Sequence, residues 1–382
     1  PRWYDIESMI YISGLIENDV ILGNDEKLIG DVIEAAQETN PKFIAISAAL
    51  IPLFMSTDMK GIARIIEKRT GIPTFGFTTN AMDTYVLGGN MVYRECPALD
   101  GSQAISDSPS ISVNLLGVTP LDFSIVGNVE ALKEYFKDCG IEVNCCMTMG
   151  CTLSEMAEAY KADVNVVCSS LALDGARILN DKYGTPAVLG LPMGKTACCE
   201  LEQLIKQSAS DGKSRLLGSA DEITCIPPLE HAKSSFTLRD RAKGGTWIIG
   251  EAINAAGIRY VLEHDLGITE IHILCPTQVD AHMLREGDVM VRDEADIEKV
   301  LKGAKCVIAD PIYRRILTRD ENGNLPHFIN IPHEAYSGRM YRSHIPTFIG
   351  AGFTDWLTSK VNADQDSIGI NDIMRINVPY KK

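Results

Sequence analysis

Several features are missing from this 382-residue chain, and each absence removes a class of function. No Lys/Arg run supplies the basic footprint that a polyanion needs. With a net charge of −15, nucleic acid is a poor candidate partner. The acidic surface suits a basic protein partner or plain solubility instead. No uninterrupted apolar run reaches the roughly 18–20 residues of a membrane span, so no membrane association is expected. No Cys-x-x-Cys pair exists, which removes zinc-ribbon and ferredoxin-type spacings. The seven histidines form no His-x-x-x-His pair. Gly194-Lys195-Thr196 resembles the end of a P-loop, but Leu189 stands where the motif needs a further glycine, so nucleotide hydrolysis is rejected there. No secretory signal is visible. Eleven cysteines, an odd number, therefore read as free thiols in a reducing, cytoplasmic setting. The first residue is Pro1 rather than Met, and residues upstream are expected.

What is present begins with pattern. Apolar residues make up 45%, enough for a full core, and the length suits two or three domains. Between Ser112 and Gly194 short apolar runs alternate with helical patterns about 10–15 residues long, which predicts a parallel sheet. The same alternation appears at 42–78 and again from Thr246. The chain therefore reads as α/β, with three Rossmann-like doubly wound domains around a central cleft. Their expected bounds are 1–110, possibly incomplete at its N-terminus, then 111–208, a connector at 209–245, and 246–382 with a C-terminal helix. Leu15 to Asp25 reads as a loop, Gly88-Gly89-Asn90 as the start of a turn-rich passage, 107–110 as a linker, and Ile345 to Val361 as the last helix. Ala63-Arg64-Ile65-Ile66 followed by Gly71-x-Pro73 repeats as Ala176-Arg177-Ile178-Leu179 followed by Gly184-x-Pro186. A helix, a glycine stop and a proline-led strand recur at one spacing, which favours similar domains in series.

Parallel strands end on one edge, and ligands of open α/β sheets bind beyond it. Cys168 closes the Val-Asn-Val-Val strand at that edge. It is read either as a buried packing thiol or as a ligand. Cys145, Cys146 and Cys151 lie on one strand and the loop after it. Strand alternation allows only one of Cys145 and Cys146 to face a given site. Cys198 and Cys199 follow Gly194 at a helix start, where anions are favoured and thiol pKa falls. Cys275 ends a strand at the cleft edge, whereas Cys139 and Cys306 read as packing. Gly250 ends the strand Thr246–Ile249, and Glu251 after it either faces the cleft as an acid or simply favours a helix start. His333, in Ile-Pro-His-Glu, follows a strand and is read either as a metal ligand or as a hydrogen-bonding loop residue.

With these residues in view, the chain resembles the nitrogenase component 1 superfamily, from about Ile12 to Ala363. This superfamily includes the molybdenum–iron protein subunits, cofactor-assembly scaffolds and dark-operative tetrapyrrole reductases. The resemblance is carried by the run from Ile12 to Leu28, by Val113-Asn114-Leu115-Leu116-Gly117, by Thr152-x-x-Glu155-Met156, by Leu191-Pro192-Met193-Gly194, and by Gly250-Glu251-Ala252 with Gly257 beyond it. It implies an iron–sulfur or related metal cluster, or a tetrapyrrole-type substrate, in the cleft. It also implies a second copy or paralogous subunit, and electrons from an ATP-hydrolysing iron–sulfur partner. From strand-end position and this resemblance together, Cys168, Cys146, Cys151, Gly194, Gly250 and Glu251 are the cofactor-binding candidates, and Cys168, Cys96 and His333 the metal ligands. One departure stands out. The family places a cluster cysteine just after the strand matching Phe43–Ser47, where this chain reads Ala48-Ala49-Leu50-Ile51-Pro52, and its first cysteine is Cys96. A divergent relative is expected rather than a dinitrogen reductase. Three readings stay open: a nitrogenase-like oxidoreductase subunit, a non-catalytic scaffold for a metallocofactor, and a plain small-molecule binder of Rossmann-like fold.

Overall fold

The computed structural model describes residues 9–80, 82–95, 110–219, 222–223, 244–279 and 283–363. Cys96, Cys225 and residues 107–109 of the expected linker lie outside the described residues. The chain divides into two compact units, 1–95 and 96–382.

In the first unit, strands β1 (Ile44–Ser47) and β2 (Thr74–Phe77) pair in parallel. The helix Met59–Thr70 starts where the Asp58 carboxylate accepts the Gly61 N–H at 2.9 Å, and it stops at Gly71, φ +73°, whose N–H bonds Glu67 O. Ile62, Ala63 and Ile66 recur at helical spacing and pack with Ile29 and Ile46. A Cβ on Gly76 would lie 2.1 Å from Met59 O, so only glycine lets this helix meet β2 so closely. Two expectations are corrected here. Residues 17–22, within the expected loop, form the helix Glu17–Leu22, where the Asp19 carboxylate accepts the Ile16 N–H and pairs with Lys27 at 3.1 Å. Gly88-Gly89-Asn90 lies inside the helix Tyr85–Arg94, because burying Val86, Leu87 and Tyr93 outweighs about 1 kcal/mol of helix penalty per glycine.

The second unit holds two sheets. The six-stranded sheet comprises β3 (Ser112–Leu116), β4 (Glu142–Cys146), β5 (Val164–Val167), β6 (Ala187–Leu189), β7 (Ser214–Leu216) and β8 (Glu222–Ile223). Their order is β4-β3-β5-β6-β7-β8, parallel except for the β7–β8 pair. Part of the stretch expected as a connector thus belongs to this sheet, since the Ala187 N–H donates to Ser214 Oγ at 2.9 Å and ties β7 to β6. The strands are apolar apart from asparagines at matched positions. Asn114 Nδ2 donates to Asn165 Oδ1 (2.8 Å) and Ala159 O (2.7 Å), and Asn144 Nδ2 donates to Asn114 Oδ1 (2.9 Å). This ladder satisfies the buried amides and penalises a slipped register.

The five-stranded sheet comprises β9 (Thr246–Ile249), β10 (Ile271–Cys275), β11 (Val289–Met290), β12 (Cys306–Ala309) and β13 (His327–Asn330). Its order is β11-β10-β9-β12-β13, all parallel. Trp247, Leu274, Val300, Val307 and Phe328 form its core. The repeated unit is visible in both helices concerned, with Gly71 and Gly184 each at φ +73° before a proline-led strand. The last described helix is shorter than expected, at Gly352–Val361; residues 345–351 ahead of it are not helical, and Gly350 forms a parallel bridge with Met193.

In each sheet the chain order reverses at one point, between β3 and β5 and between β9 and β12. Such switch points open crevices beyond the strand ends.

Candidate functional site

The strand ends at the two switch points are joined directly. After β5 the chain turns through Cys168-Ser169-Ser170, and after β9 through Gly250-Glu251. Glu251 Oε1 accepts the Ser170 N–H (2.9 Å) and the Ser170 hydroxyl, while Oε2 accepts the N–H groups of Ile253 (3.1 Å) and Asn254 (3.0 Å). Glu251 thus caps the helix Ala252–Tyr260 and reaches across to the other sheet. Burial pushes its carboxyl above the ordinary range, and the neighbouring Asp122 carboxylate adds to that shift. The first switch point also needs glycine. Gly117 has φ +83°, and an added Cβ would lie 2.9 Å from both the N and O of Ser169. Gly250 carries no such constraint, since its Cβ would meet Ala255 Cβ at 3.7 Å, ordinary contact.

More acids gather at these edges. His333, after β13, has Nε2 3.2 Å from Asp122 Oδ1. Its Nδ1 accepts the Ala335 N–H at 3.3 Å, which leaves the ring proton on Nε2. Its backbone N–H donates to Asp310 Oδ2 (2.7 Å), which also accepts from Ser337 Oγ (2.7 Å). Burial raises the Asp310 carboxyl against these hydrogen bonds. Glu334 accepts from Ser124 Oγ (2.6 Å) and pairs with Arg342. The Tyr336 ring packs on His333 with centroids 4.8 Å apart. Its hydroxyl is sealed from solvent and has no hydrogen-bond partner among the described residues, as is the case for the Thr277 hydroxyl beyond β10. Burial holds the Tyr336 phenol protonated, with Tyr313, Glu251, Cys275 and Asp122 adding to the shift. An orphaned donor among raised carboxyls is where a bound molecule would find its polar contacts.

The thiols divide between two places. Cys168 is 1% exposed; burial holds it protonated, and Cys146, Glu251 and Asp122 push in the same direction. Cys275 is likewise buried and protonated beside Glu251. Cys145, Cys146 and Cys151 instead line an open groove of about 440 Å³ at the edge strand β4, with Lys133 and Lys137. Strict alternation fails on this strand because the register slips: Val113 opposes Val143 but Asn114 opposes Cys145, so Asn144 is an extra residue. Gly194 lies elsewhere. The helix start it opens is occupied by Asp265, whose carboxylate accepts the Lys195 N–H (2.9 Å) and the Thr196 N–H (3.1 Å). An intramolecular carboxylate thus fills the anion seat that the Gly-Lys-Thr run suggested.

The metal ligation implied by the resemblance can be tested against these groups. Among the described residues, no three of His, Cys, Asp and Glu converge as a metal ligand set. Cys168 points its sulfur at Val166 O (3.8 Å), and both His333 nitrogens have neighbours. These residues do not by themselves fit a metal centre, and Cys96 lies outside the described residues. Sequence reasoning missed Asp122, Asp310, Glu334 and Tyr336. Their only signal was position, an acid or phenol one to six residues past a strand end.

Comparison with known proteins agrees with this architecture. The profile of the nitrogenase component 1 type oxidoreductases matches residues 4–309. A nitrogenase iron-molybdenum cofactor biosynthesis protein NifE from Clostridium pasteurianum is 26% identical over 61% of this chain and 47% of its own length. One subunit of the light-independent protochlorophyllide reductase from Nostoc punctiforme is 22% identical over 72% of this chain and 56% of its own. The chain spans about half the length of the curated relatives it matches. The solved structure of nitrogenase Cp1 at pH 5 superposes with TM-score 0.60 at 14% identity, covering 98% of this chain and 80% of that one. Among the described residues no helix is long and apolar enough to cross a membrane.

Proposed function

The chain belongs to the nitrogenase component 1 type oxidoreductase family, and from that premise we propose that it is a reductase subunit acting on an unsaturated organic substrate of tetrapyrrole type. The substrate lies in the crevice between the switch points of the six- and five-stranded sheets, within Rossmann-like domains at 111–208 and 246–382. Electrons come from a separate ATP-hydrolysing iron–sulfur protein, and the subunit pairs with a copy or a paralogue. Reducing one double bond takes two electrons and two protons. The chain's own task is to supply those protons and exclude water. Glu251 and Asp310, whose carboxyls stay protonated above the ordinary range, suit that role, and Asp122 with His333 can relay a proton toward them. The observation that carries the reading is the sealed Tyr336 hydroxyl, which has no hydrogen-bond partner among the described residues and lies near Glu251 and Asp122.

The test is titration of the full chain with a carboxylated free-base porphyrin, followed by its absorbance shift. Saturable binding that weakens about tenfold in Tyr336→Phe supports the reading, at the ~1.4 kcal/mol worth of one hydrogen bond. Binding that is absent, or indifferent to Tyr336→Phe, overturns it. A scaffold role for a metallocofactor is the second reading, favoured by the biosynthetic relative. Anaerobic reconstitution with iron and sulfide separates the two, because the scaffold reading requires stoichiometric iron that transfers to an acceptor protein.

A further inference from the structure

We propose that the helix Ala252–Tyr260, prolonged by the π turn Val261–Asp265, is a gate bar across the strand ends of the six-stranded sheet, with the Asp265 carboxylate as its catch. The gate is independent of the substrate proposed above, since it governs access to the crevice rather than what enters. Helix and turn together span about 20 Å at 1.5 Å per residue. Along that length they cross the ends of the neighbouring strands β5, β6 and β7 in turn. Past β5, Glu251 at the head of the bar accepts the Ser170 N–H at 2.9 Å. Past β6, a Cβ on Gly257 would lie 2.5 Å from Met193 Sδ. Past β7, a Cβ on Gly218 would lie 3.0 Å from the Tyr260 ring. The carboxyl edge of an open parallel sheet is where ligands bind, and here the chain's own helix lies over it. Ser169 and Ser170 at that edge, and Glu251 itself, are fully buried. A ligand reaches them only when the bar moves.

The catch is a single side chain. Asp265 Oδ2 accepts the Lys195 N–H at 2.9 Å and the Thr354 hydroxyl, while Oδ1 accepts the Thr196 N–H at 3.1 Å and the Thr196 hydroxyl. One partly exposed carboxylate thus joins the bar to two helices, Gly194–Asp211 and Gly352–Val361. It reaches them because the turn is wound as π. The Leu266 N–H bonds Val261 O, five residues back, and the Val261 N–H is shared between Gly257 O and Ile258 O where the two windings meet. Rewinding the turn as α removes one residue from it and carries Asp265 round by about 100°, away from its donors. Catch and winding therefore hold or release together. The connection onward adds strain, since Glu270, just ahead of β10, has φ +58°, left-handed backbone that a glutamate rarely adopts.

The contacts also provide a pivot. The Tyr260 hydroxyl donates to Glu200, and Arg285 bridges Glu263 to Gly218 O. Asp265 lies beyond these ties and Glu251 before them, so releasing the one lets the other lift. At Gly257 and Gly218 the bar meets its bed through glycine, which leaves no interlocked pair of side chains there to resist a small shear.

The test is alkylation of the full chain by N-ethylmaleimide, read by mass spectrometry of the Cys168 peptide, with hydrogen exchange alongside. Cys168 is buried next to Ser169 and reports opening, while the amides of Val164–Val167 in the central strand β5 report unfolding of the sheet. In the wild type, exposure of Cys168 and exchange of 252–260 should respond to urea alike, and less steeply than exchange of Val164–Val167. Asp265→Asn keeps the shape of the catch but weakens its charge-assisted bonds. It should speed Cys168 alkylation and exchange of 252–260 about tenfold and leave Val164–Val167 unchanged. Gly194→Ala should act in the same direction, because its Cβ would lie 2.6 Å from Asp265 Oδ2 and 2.7 Å from Val261 Cγ2. Cys168 exposure in the wild type with the same urea dependence as Val164–Val167 would overturn the gate whatever the variants do. So would faster exchange in Asp265→Asn confined to 194–200, with Cys168 as slow as before.

Discussion

Glu251→Ala is the perturbation that tests the crevice most directly. The carboxylate caps the helix Ala252–Tyr260 through two N–H groups and receives both the N–H and the hydroxyl of Ser170. Losing the cap costs about 0.5–2 kcal/mol. Withdrawing the acceptor that Glu251 gives the buried Ser170 N–H and hydroxyl costs about 1–3 kcal/mol more. The relief of no longer burying an acid against Asp122 offsets part of this. A net loss of about 2 kcal/mol is expected, or roughly thirtyfold faster opening. Hydrogen exchange of the peptide covering 252–260 reads this locally, which matters because a chain of this size need not unfold in one step. Glu251→Gln keeps an acceptor for Ser170 but turns an amide toward the cap, so about fivefold is expected. The pH dependence gives a second readout. A carboxyl raised by folding binds its proton more tightly in the folded state, so its stabilisation is full below the ordinary carboxylate range. That stabilisation is lost as pH rises through the raised value, by at most about 1.4 kcal/mol per pH unit. Protection of 252–260, corrected for intrinsic exchange, should therefore decline as pH rises above the ordinary carboxylate range in the wild type and less in Glu251→Gln. Unchanged protection in Glu251→Ala, or equal slopes in wild type and Glu251→Gln, would refute the account.

Other outcomes follow from single contacts. Asp288→Ala strands Arg259, whose buried ion pair with Asp288 measures 2.7 Å, and should cost about 3–5 kcal/mol in urea unfolding; a loss under 1 kcal/mol would contradict it. Asn165→Ala removes one of the two acceptors of Asn114 Nδ2 and should cost about 1–3 kcal/mol by the same assay. Gly117→Ala forces a Cβ against Ser169 at positive φ and should lower Tm by several degrees, whereas Gly250→Ala should leave Tm within about a degree. Asp265→Ala removes the acceptor of the Thr196 N–H, leaves the Lys195 N–H to Thr354 Oγ1 alone, and should loosen the first turn of the helix Gly194–Asp211, read as faster exchange there.

Much of the fold was legible because its signals are local. Valine-rich runs between helical patterns, glycine stops such as Gly71 and Gly184, and the proline before each following strand mark parallel strands in the sequence itself. The helix through Gly88 and Gly89 was not legible, because buried Val86, Leu87 and Tyr93 override a local propensity that reads as a turn. Nor was the strand pairing of Ser214–Leu216, three residues whose role depends on a neighbour 27 positions away.

The site shows the same division more sharply. Alternating strands and helices place Cys168, Glu251 and His333 past strand ends, and so at a binding edge, on sequence alone. Which of those side chains touch is a long-range question, and the folded chain answers it differently for each. Glu251 meets Ser170 across 81 positions and His333 meets Asp122 across 211. Cys145, Cys146 and Cys151 share one groove at β4, where an extra residue breaks the register that period-two reasoning assumes. A sequence records which groups are available at each strand end. Burial, and the charges that burial brings together, decide which of them hold a proton and which lose it.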